Sequence, residues 1–231
     1  MITMKKIFVV FAIFLIANSC LSQNKETEKR IVSSFIGINV SSGINLYLTQ
    51  GDEHKVIVET ESKYITDVAT KIRNGILHIY LEKGRIRVNT SINVYVTVAW
   101  IESLDVFAGA NVYCNERLKL EKLTVQNSSG SDTRIDIECR DLVLHSSSGS
   151  DIKAKGSTLN LTAKASSGSD INTKELEAIY AFLEASSGSD IIATVSGEIE
   201  ANASSGSDIT YYGNALPKLL RQSGGGDIKK R

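Results

Sequence analysis

Ser128-Ser129-Gly130-Ser131-Asp132 is the first of five identical pentapeptides in the sequence. The same five residues recur at 147–151, 166–170, 186–190 and 204–208, and a degraded copy, Ser223-Gly-Gly-Gly-Asp227, follows them. Successive aspartates of this series are separated by 19, 19, 20, 18 and 19 residues. A repeat of this length indicates a fold in which one supersecondary unit is stacked many times.

The residues before each pentapeptide alternate between apolar and mostly polar side chains. In the first repeat Leu123 and Val125 alternate with Thr124 and Gln126, and the later repeats keep this alternation. A period of two is typical of a β-strand with one buried face. The residue after the aspartate begins a second strand, and it is isoleucine in every copy except the first, where it is Thr133. Each repeat is therefore predicted to consist of a strand, a turn and a second strand.

These features predict an all-β protein whose main part is a parallel β-helix, or β-solenoid, with rungs of about 19 residues. The inward positions include many alanines, such as Ala163, Ala185 and Ala203, so the solenoid is expected to be thin. The single proline, Pro217, fits a ladder of stacked strands, because such a ladder needs its backbone N–H donors.

The pentapeptide has a structural interpretation and, for its aspartate, a functional alternative. Glycine adopts positive φ without steric cost, and Ser and Asp side chains bond nearby backbone N–H groups in a bend. Stacked serines could also form ladders of hydroxyl groups between rungs. The alternative is a column of carboxylates that binds calcium, formed by Asp132, Asp151, Asp170, Asp190 and Asp208.

The part of the chain before the repeats is also predicted to be β-structure. Residues 31–107 lack the pentapeptide and are interpreted as a non-repetitive β part that packs on or caps the solenoid of residues 108–230. Turn signals separate five predicted strands, at 37–40, 44–49, 55–61, 75–82 and 92–99. Asn74-Gly75 predicts a hairpin turn, and 64–73 allows a short helical turn. A cap would protect the open edge of the first rung.

Residues 1–20 have the composition of a bacterial signal peptide of the lipoprotein type. Lys5 and Lys6 precede an apolar run at 7–17 that is too short to span a bilayer. Cys20 is the expected lipidation site, and ordinary cleavage nearby is the alternative. Residues 21–30 would then be a flexible tether. The expected location is the outer membrane, facing the periplasm or the cell surface, with a soluble periplasmic or secreted form as the alternative.

Charge and residue spacing exclude several classes of function. The 26 basic and 26 acidic residues leave no net charge, so no nucleic-acid partner is expected, and membrane contact is expected only through a lipid anchor. Cys114 and Cys139 could pair in an oxidising envelope or lie buried as small apolar residues. Neither the cysteines nor His54, His78 and His145 have the spacing of a metal or catalytic set, and no cofactor is expected.

The sequence resembles the bacterial family named putative auto-transporter adhesin, head GIN domain. The resemblance lies in residues 35–40, 42–51, 74–77 and 94–98 and in the Ser-Gly-Ser-Asp-Ile series. It covers 31–230, which it implies to be a GIN-type β domain with a β-helical fold. It also implies an exported, often lipid-anchored envelope protein of Bacteroidetes-like bacteria. Ala99 departs from the pattern, since a proline would be expected there.

The sequence favours a non-enzymatic adhesion or binding module for an extended ligand, either a glycan or a protein of the envelope or the extracellular space. A rigid rod with repetitive outward columns suits such a ligand. Five aromatic residues could stack on sugar rings, namely Trp100, Tyr180, Phe182, Tyr211 and Tyr212.

Two other functions are left open by the sequence. One is a polysaccharide lyase or hydrolase, because parallel β-helices host such enzymes and acid–base groups could come from one outward column. That column contains Gln126, His145, Lys164, Glu184, Asn202 and Arg221. Within it His145, Lys164 and Glu184 are the candidate ligand-binding residues. The other function is that of a structural or signalling partner in the envelope.

Overall fold

The structure, a computed structural model, describes residues 25–82 and 90–231. The predicted signal peptide, Cys20 and residues 21–24 lie outside the described residues. Within the described ranges, no helix has the length and apolar character needed to cross a membrane. The described chain is a parallel β-solenoid with rungs of about 19 residues, which confirms the fold predicted from the pentapeptide repeat.

Short strands precede five long strands in the described chain, with a 3-10 helix at Ser62–Asp67. The short strands are β1 (Lys25–Arg30), β2 (Gly37–Val40), β3 (Asn45–Gln50), β4 (Lys55–Glu61), β5 (Val68–Arg73), β6 (Ile76–Leu81), β7 (Asn93–Val98) and β8 (Ser103–Val106). The long strands are β9 (Asn111–Asn127), β10 (Asp132–Ser147), β11 (Asp151–Ser166), β12 (Asp170–Ser186) and β13 (Asp190–Ser204). The chain then continues through β14 (Asp208–Tyr212), β15 (Leu216–Ser223) and β16 (Asp227–Lys230).

The solenoid has two faces that are joined by the pentapeptide turns. We call the strand segments that lead into each turn the pre-turn sheet, and the segments that leave it the post-turn sheet. The long strands begin in the post-turn sheet, bend, and end in the pre-turn sheet. Stacking is parallel and in register, because Asp151 pairs with Asp132 on one side and with Asp170 on the other. Equivalent residues of successive repeats therefore lie in columns along the solenoid axis.

The interior contains the apolar positions that the alternation predicts. Leu144, Ala163 and Leu183 lie in one inward column of the pre-turn sheet and are fully buried. Ile152 and Ile171 are equally buried in the post-turn sheet. Burial of a side chain of this size contributes about 1.5–3 kcal/mol, so the stack of rungs supplies the core that a single repeat lacks.

Thr133, the exception in the isoleucine column, is explained by a buried polar pair. Its hydroxyl donates to Asn127 Oδ1 at 2.8 Å. Asn127 is itself buried just before the first pentapeptide, and its side-chain amide donates to the carbonyl oxygen of Asp151 at 2.9 Å. The threonine therefore satisfies an asparagine side chain that closes the first repeat turn, where an isoleucine would leave it without this partner.

The fourth residue of the pentapeptide joins four of the five turns to the rung before it, the exception being Ser150, which bonds Ser146 and Ser147 within its own turn. The second serine and the glycine both have positive φ, for example 56° at Ser187 and 66° at Gly188. The fourth residue, Ser189, is buried, and its hydroxyl accepts from the Ser186 N–H at 3.1 Å and donates to the Ala165 carbonyl at 2.9 Å. Hydroxyl ladders between rungs are not formed in this column, because its serines bond backbone groups and, at Ser150, a hydroxyl of the same turn.

The N-terminal half adds further rungs to the solenoid, although its sequence lacks the pentapeptide. β2 lies in parallel between β6 and β8, and β3 lies in parallel between β7 and β9. The turn from β2 to β3 repeats the pentapeptide geometry, with φ of 66° at Ser42 and 70° at Gly43. The rung β2–β3 thus lies between the rungs β6–β7 and β8–β9, although it precedes both in the chain.

Antiparallel strands cap the N-terminal end of the solenoid. β4 pairs with β7, and β5 pairs with β6 through the predicted hairpin turn, where φ is 52° at Asn74 and 75° at Gly75. The helical turn expected within 64–73 is a 3-10 helix that ends at Asp67, and a strand follows it. β1 pairs with β4, so residues 25–30 are an edge strand and not the flexible tether that the sequence predicts.

Candidate ligand-binding face

The three candidate residues lie side by side on the outer surface of the pre-turn sheet. His145 pairs with Lys164 on the next rung, and Lys164 pairs with Glu184 on the rung after that. Gln126 precedes and Asn202 follows them in the same column. The sequence spacing therefore predicted correctly that these three side chains are neighbours, because residues separated by one repeat length pair with each other when the rungs are stacked in register.

The charges in this column are partly satisfied by one another. Lys164 Nζ lies 3.0 Å from Glu184 Oε2 and 5.5 Å from the centre of the Phe182 ring. Burial, reinforced by the neighbouring Lys164 charge, lowers the pKa of His145. At neutral pH the column therefore presents a neutral imidazole and a solvent-exposed ion pair, which form hydrogen bonds readily but leave no isolated charge.

Two shallow grooves run beside this ion pair on the same face. A polar groove of about 430 Å³ is lined by Gln126, His145, Ser147, Lys164, Ser166 and Glu184. An aromatic groove of about 580 Å³ is lined by Asn160, Thr162, Tyr180, Phe182, Glu198 and Lys218. The ion pair of Lys164 and Glu184 lines the polar groove, and Lys164 adjoins Phe182 of the aromatic groove, so the two grooves lie side by side and span several rungs.

The structure separates the predicted aromatic platforms. Tyr180 and Phe182 are 46% and 40% exposed and lie together in the aromatic groove. Trp100 is also exposed, but it lies in the connection between β7 and β8. Tyr211 is buried, so its prediction as a platform is wrong, and Tyr212 is covered by the Lys174 ammonium group 4.8 Å from its ring centre.

A ladder of tyrosines on the post-turn sheet was missed by sequence reasoning. The Tyr47 ring stacks on Tyr95 and Tyr113 with centroid distances of 5.0 and 5.4 Å, and Arg134 continues the column 5.7 Å from the Tyr113 ring. The triplets Asn-Leu-Tyr at 45–47 and Asn-Val-Tyr at 93–95 and 111–113 were the available signal. They were overlooked because the N-terminal half was not interpreted as rungs.

The aspartates of the pentapeptides form one outward column of the post-turn sheet, which becomes a column of amides in the N-terminal rungs. Asp132 pairs with Asn111, which pairs with Asn45, and the Asn111 amide donates to Asn45 Oδ1 at 3.1 Å. Burial, followed by the charges of Asp151 and Asp190, raises the pKa of Asp170. In the repeat rungs, neighbouring carboxylates of this column therefore repel one another. In the N-terminal rungs, the amides in the same column form hydrogen bonds to one another.

Metal binding finds no support in the side-chain arrangement. Across residues 25–82 and 90–231, no group of three or more His, Cys, Asp or Glu side chains is arranged to hold a metal ion. The calcium column stays a prediction that the structure does not test. His54 packs against Phe35 with ring centroids 4.3 Å apart, and His78 lies in register with Asn39, so neither histidine joins His145.

The two cysteines of the described chain are free and buried. Burial raises the pKa of the Cys114 thiol to about 12 and also raises the pKa of Cys139, so both remain protonated. Cys114 borders a depression of about 250 Å³ that also contains Arg134 and Lys155. Lys155 lies 3.4 Å from Asp136, and Lys153 and Glu175 also line the depression.

Comparison with known proteins agrees with this architecture. A family model described as "Putative auto-transporter adhesin, head GIN domain" matches residues 34–215. Among curated proteins, none matches the sequence.

Solved structures share the fold at low sequence identity. A putative adhesin from Bacteroides fragilis superimposes with a TM-score of 0.86 at 18% identity, covering 91% of this chain and 98% of that one. A putative adhesin from Parabacteroides merdae gives 0.77 at 15% identity, covering 91% and 97%. A putative lipid binding protein from Parabacteroides distasonis gives 0.66 at 14% identity, covering 91% and 98%. Identities this low establish a common fold and leave the ligand of this chain to be argued from its own residues.

Proposed function

Because the chain belongs to the family described as putative auto-transporter adhesin, head GIN domain, we propose that it is an exported, non-enzymatic binding module of the cell envelope. Its ligand is an extended glycan that lies across the outer surface of the pre-turn sheet. The observation that carries the proposal is the polar groove beside the aromatic groove, both open to solvent and both crossing successive rungs.

The aromatic groove has the chemistry that a sugar chain requires. Sugar rings present an apolar C–H face and a rim of hydroxyl groups. Tyr180 and Phe182 offer exposed ring faces on which the C–H face can stack. Asn160, Thr162 and Glu198 offer groups that can form hydrogen bonds with the hydroxyl groups. Because rungs repeat about every 4.8 Å, equivalent outward positions recur at a short, regular interval that suits a polymer of similar units.

Hydrolysis or lyase chemistry is the competing function, since His145, Lys164 and Glu184 are adjacent. The ion pair of Lys164 and Glu184 satisfies both charges in an open groove that does not exclude water, whereas such catalysis needs an acid and a base held free at the scissile bond. Cleavage of any bound polysaccharide by the purified wild-type chain would establish the enzymatic function in place of the proposed one.

Removal of the two ring faces is expected to weaken glycan binding about tenfold or more, because large aromatic side chains dominate the energy of recognition surfaces. The measurement is binding of Tyr180→Ala/Phe182→Ala to a glycan array, followed by titration of the best wild-type ligand. Val143→Ala is the matched control, because Val143 lies in the column of Phe182 but outside the groove. Equal binding by all three proteins contradicts the proposal, and retention of a protein partner instead of a glycan identifies the other class of ligand.

Attachment to the outer membrane is the second part of the proposal, with Cys20 as the lipidated residue. Residues 1–20 have the basic start and the short apolar run of an exported precursor. Cys20→Ala is expected to abolish incorporation of labelled palmitate, and the mature wild-type chain is expected to exceed the mass of its polypeptide by that of the acyl groups. An unchanged mass would show that the chain is cleaved without lipidation.

A further inference from the structure

Within the described residues, β15 and β16 form the rung at the end opposite the cap. β15 and β16 pair with β13 and β14 on one side, and within the described residues no strand covers their other side. Every residue of β15 is exposed. The opposite end is different, because antiparallel β4 and β5 cover it. The two ends of the rod therefore differ in how far their strands are covered.

This rung carries three exposed leucines on one strand. Leu216, Leu219 and Leu220 are 71%, 40% and 40% exposed. The neighbours of Leu216 and Leu219 on β13 are Glu198 and Glu200, which are the polar residues that an outer surface normally has. Leu216 and Leu219 lie on the outward side of β15, whereas Leu220 is in register with the inward Ala201. Exposed leucines therefore occur on both sides of this strand and mark a contact surface.

Positive charge is concentrated on the same rung. In the described parts of the chain, Arg221, Lys230 and Arg231 have no carboxylate within salt-bridge distance, whereas Lys218 and Lys229 pair with Glu198 and Asp227. The whole chain has no net charge, so this end is basic by local arrangement and not by composition. The partner of this surface must accept both cations and apolar side chains.

Two features make a second copy of the chain a poor partner for this end. Pro217 has no N–H to donate to an added strand, and Lys230 occupies the inward column above Tyr211, where end-to-end stacking would bury its charge. The edge of this rung is thus poorly suited to pairing with another strand, whereas its side chains can still contact a partner.

We propose that this end of the solenoid docks on an anionic phospholipid surface. The three leucines insert at the boundary of headgroups and acyl chains, and Arg221, Lys230 and Arg231 lie opposite the lipid phosphates. Apolar insertion together with a short cluster of bases is the combination that gives stable, reversible attachment, since neither signal alone is sufficient. This surface adjoins the grooves proposed to bind glycan, because Lys218 of β15 lines the aromatic groove and Arg221 continues the column of Lys164, Glu184 and Asn202. Lipid binding is measured without glycan, so the two proposals can fail independently.

Vesicle flotation tests the proposal, using residues 21–231 prepared without the predicted signal peptide and Cys20, so that neither a lipid anchor nor the apolar run at 7–17 contributes. We expect binding to vesicles of phosphatidylglycerol and phosphatidylcholine in equal parts, and none to phosphatidylcholine alone. Arg221→Gln/Lys230→Gln/Arg231→Gln is expected to lower vesicle affinity about a hundredfold, because each base near an anionic surface contributes about one factor of five. Leu216→Ser/Leu219→Ser/Leu220→Ser is expected to weaken binding at low salt as well, where electrostatic attraction alone is strongest.

The control removes the same number of charges at the capped end of the rod, in Lys29→Gln/Lys55→Gln/Arg73→Gln. It is expected to bind as the unsubstituted chain does, and thermal melting of every variant checks that the fold persists. Equal binding to both kinds of vesicle, or an equal loss in the control, overturns the proposal. A dimer in sedimentation that the leucine substitutions abolish also overturns it, in favour of a second copy as the partner.

Discussion

Gly156→Ala is expected to destabilise the fold by about 4 kcal/mol, because steric overlap adds to backbone strain at this position. Gly156 lies in β11, where the strand bends from the post-turn to the pre-turn sheet, and its φ is 116°. A Cβ atom there would come within 2.0 Å of the carbonyl oxygen of Ile137 on the preceding rung. Backbone cannot move aside as a flexible side chain can, so the corner of the solenoid would have to open.

Gly168→Ala is the matched control for this prediction. Gly168 also has positive φ, 65°, but an added Cβ would have no neighbouring atom within 4 Å. Only the conformational strain remains, and the expected loss is about 1–2 kcal/mol. Urea denaturation of the two variants and the wild type measures the difference. Equal midpoints for both variants would show that the corner adjusts to a side chain and that the close approach has no structural role.

The stacking of the repeats could be predicted because identical residues recur at nearly constant spacing. Once the strands are in register, adjacency along a column follows from the spacing alone, as it does for His145, Lys164 and Glu184. The inward positions followed from alternation. The same alternation could have excluded Tyr211 as an outward platform, since it is two residues after the inward Ile209 and shares its side of the strand.

The order of the N-terminal rungs could not be predicted from local sequence. β2–β3 lies between two rungs that come later in the chain, and nothing in residues 37–50 specifies which strands will flank them. Parallel pairing of β2 and β3 depends on an apolar face that every rung has. The order of the rungs is therefore decided by tertiary packing and not by local sequence. The sequence also lacks the pentapeptide in these rungs, which removed the signal that made the later ones recognisable.

β1 and the grooves were missed for different physical reasons. The sequence Lys-Glu-Thr-Glu-Lys-Arg at 25–30 has no apolar alternation, because its strand is held at the edge by backbone pairing with β4 and by ion pairs such as Lys25 with Glu59 at 3.2 Å. The grooves depend on side-chain conformation and on which columns carry small residues, such as Thr162 beside Phe182. The spacing of residues in the sequence predicts the column in which a residue lies, but it does not predict how deep a groove the surrounding side chains form.

Ser189→Ala is expected to lower stability by about 1–3 kcal/mol, a large effect for the loss of one oxygen atom. The Ser189 hydroxyl is buried between two backbone groups, the Ser186 N–H at 3.1 Å and the Ala165 carbonyl at 2.9 Å. Alanine fits the space but leaves both groups without this partner in a site that water does not reach. The cost is therefore desolvation of two backbone groups and not loss of packing.

Ser186→Ala provides the control within the same turn. Ser186 is half-buried, and its hydroxyl has no hydrogen-bond partner in the described parts of the chain, so a loss below about 0.5 kcal/mol is expected. Thermal or urea unfolding of the two variants gives the comparison. Because Ser131, Ser169 and Ser207 make the same two bonds, substitution of each should reproduce the result for Ser189. Equal stability of the Ser186 and Ser189 variants would mean that the fourth serine is not what joins one rung to the next.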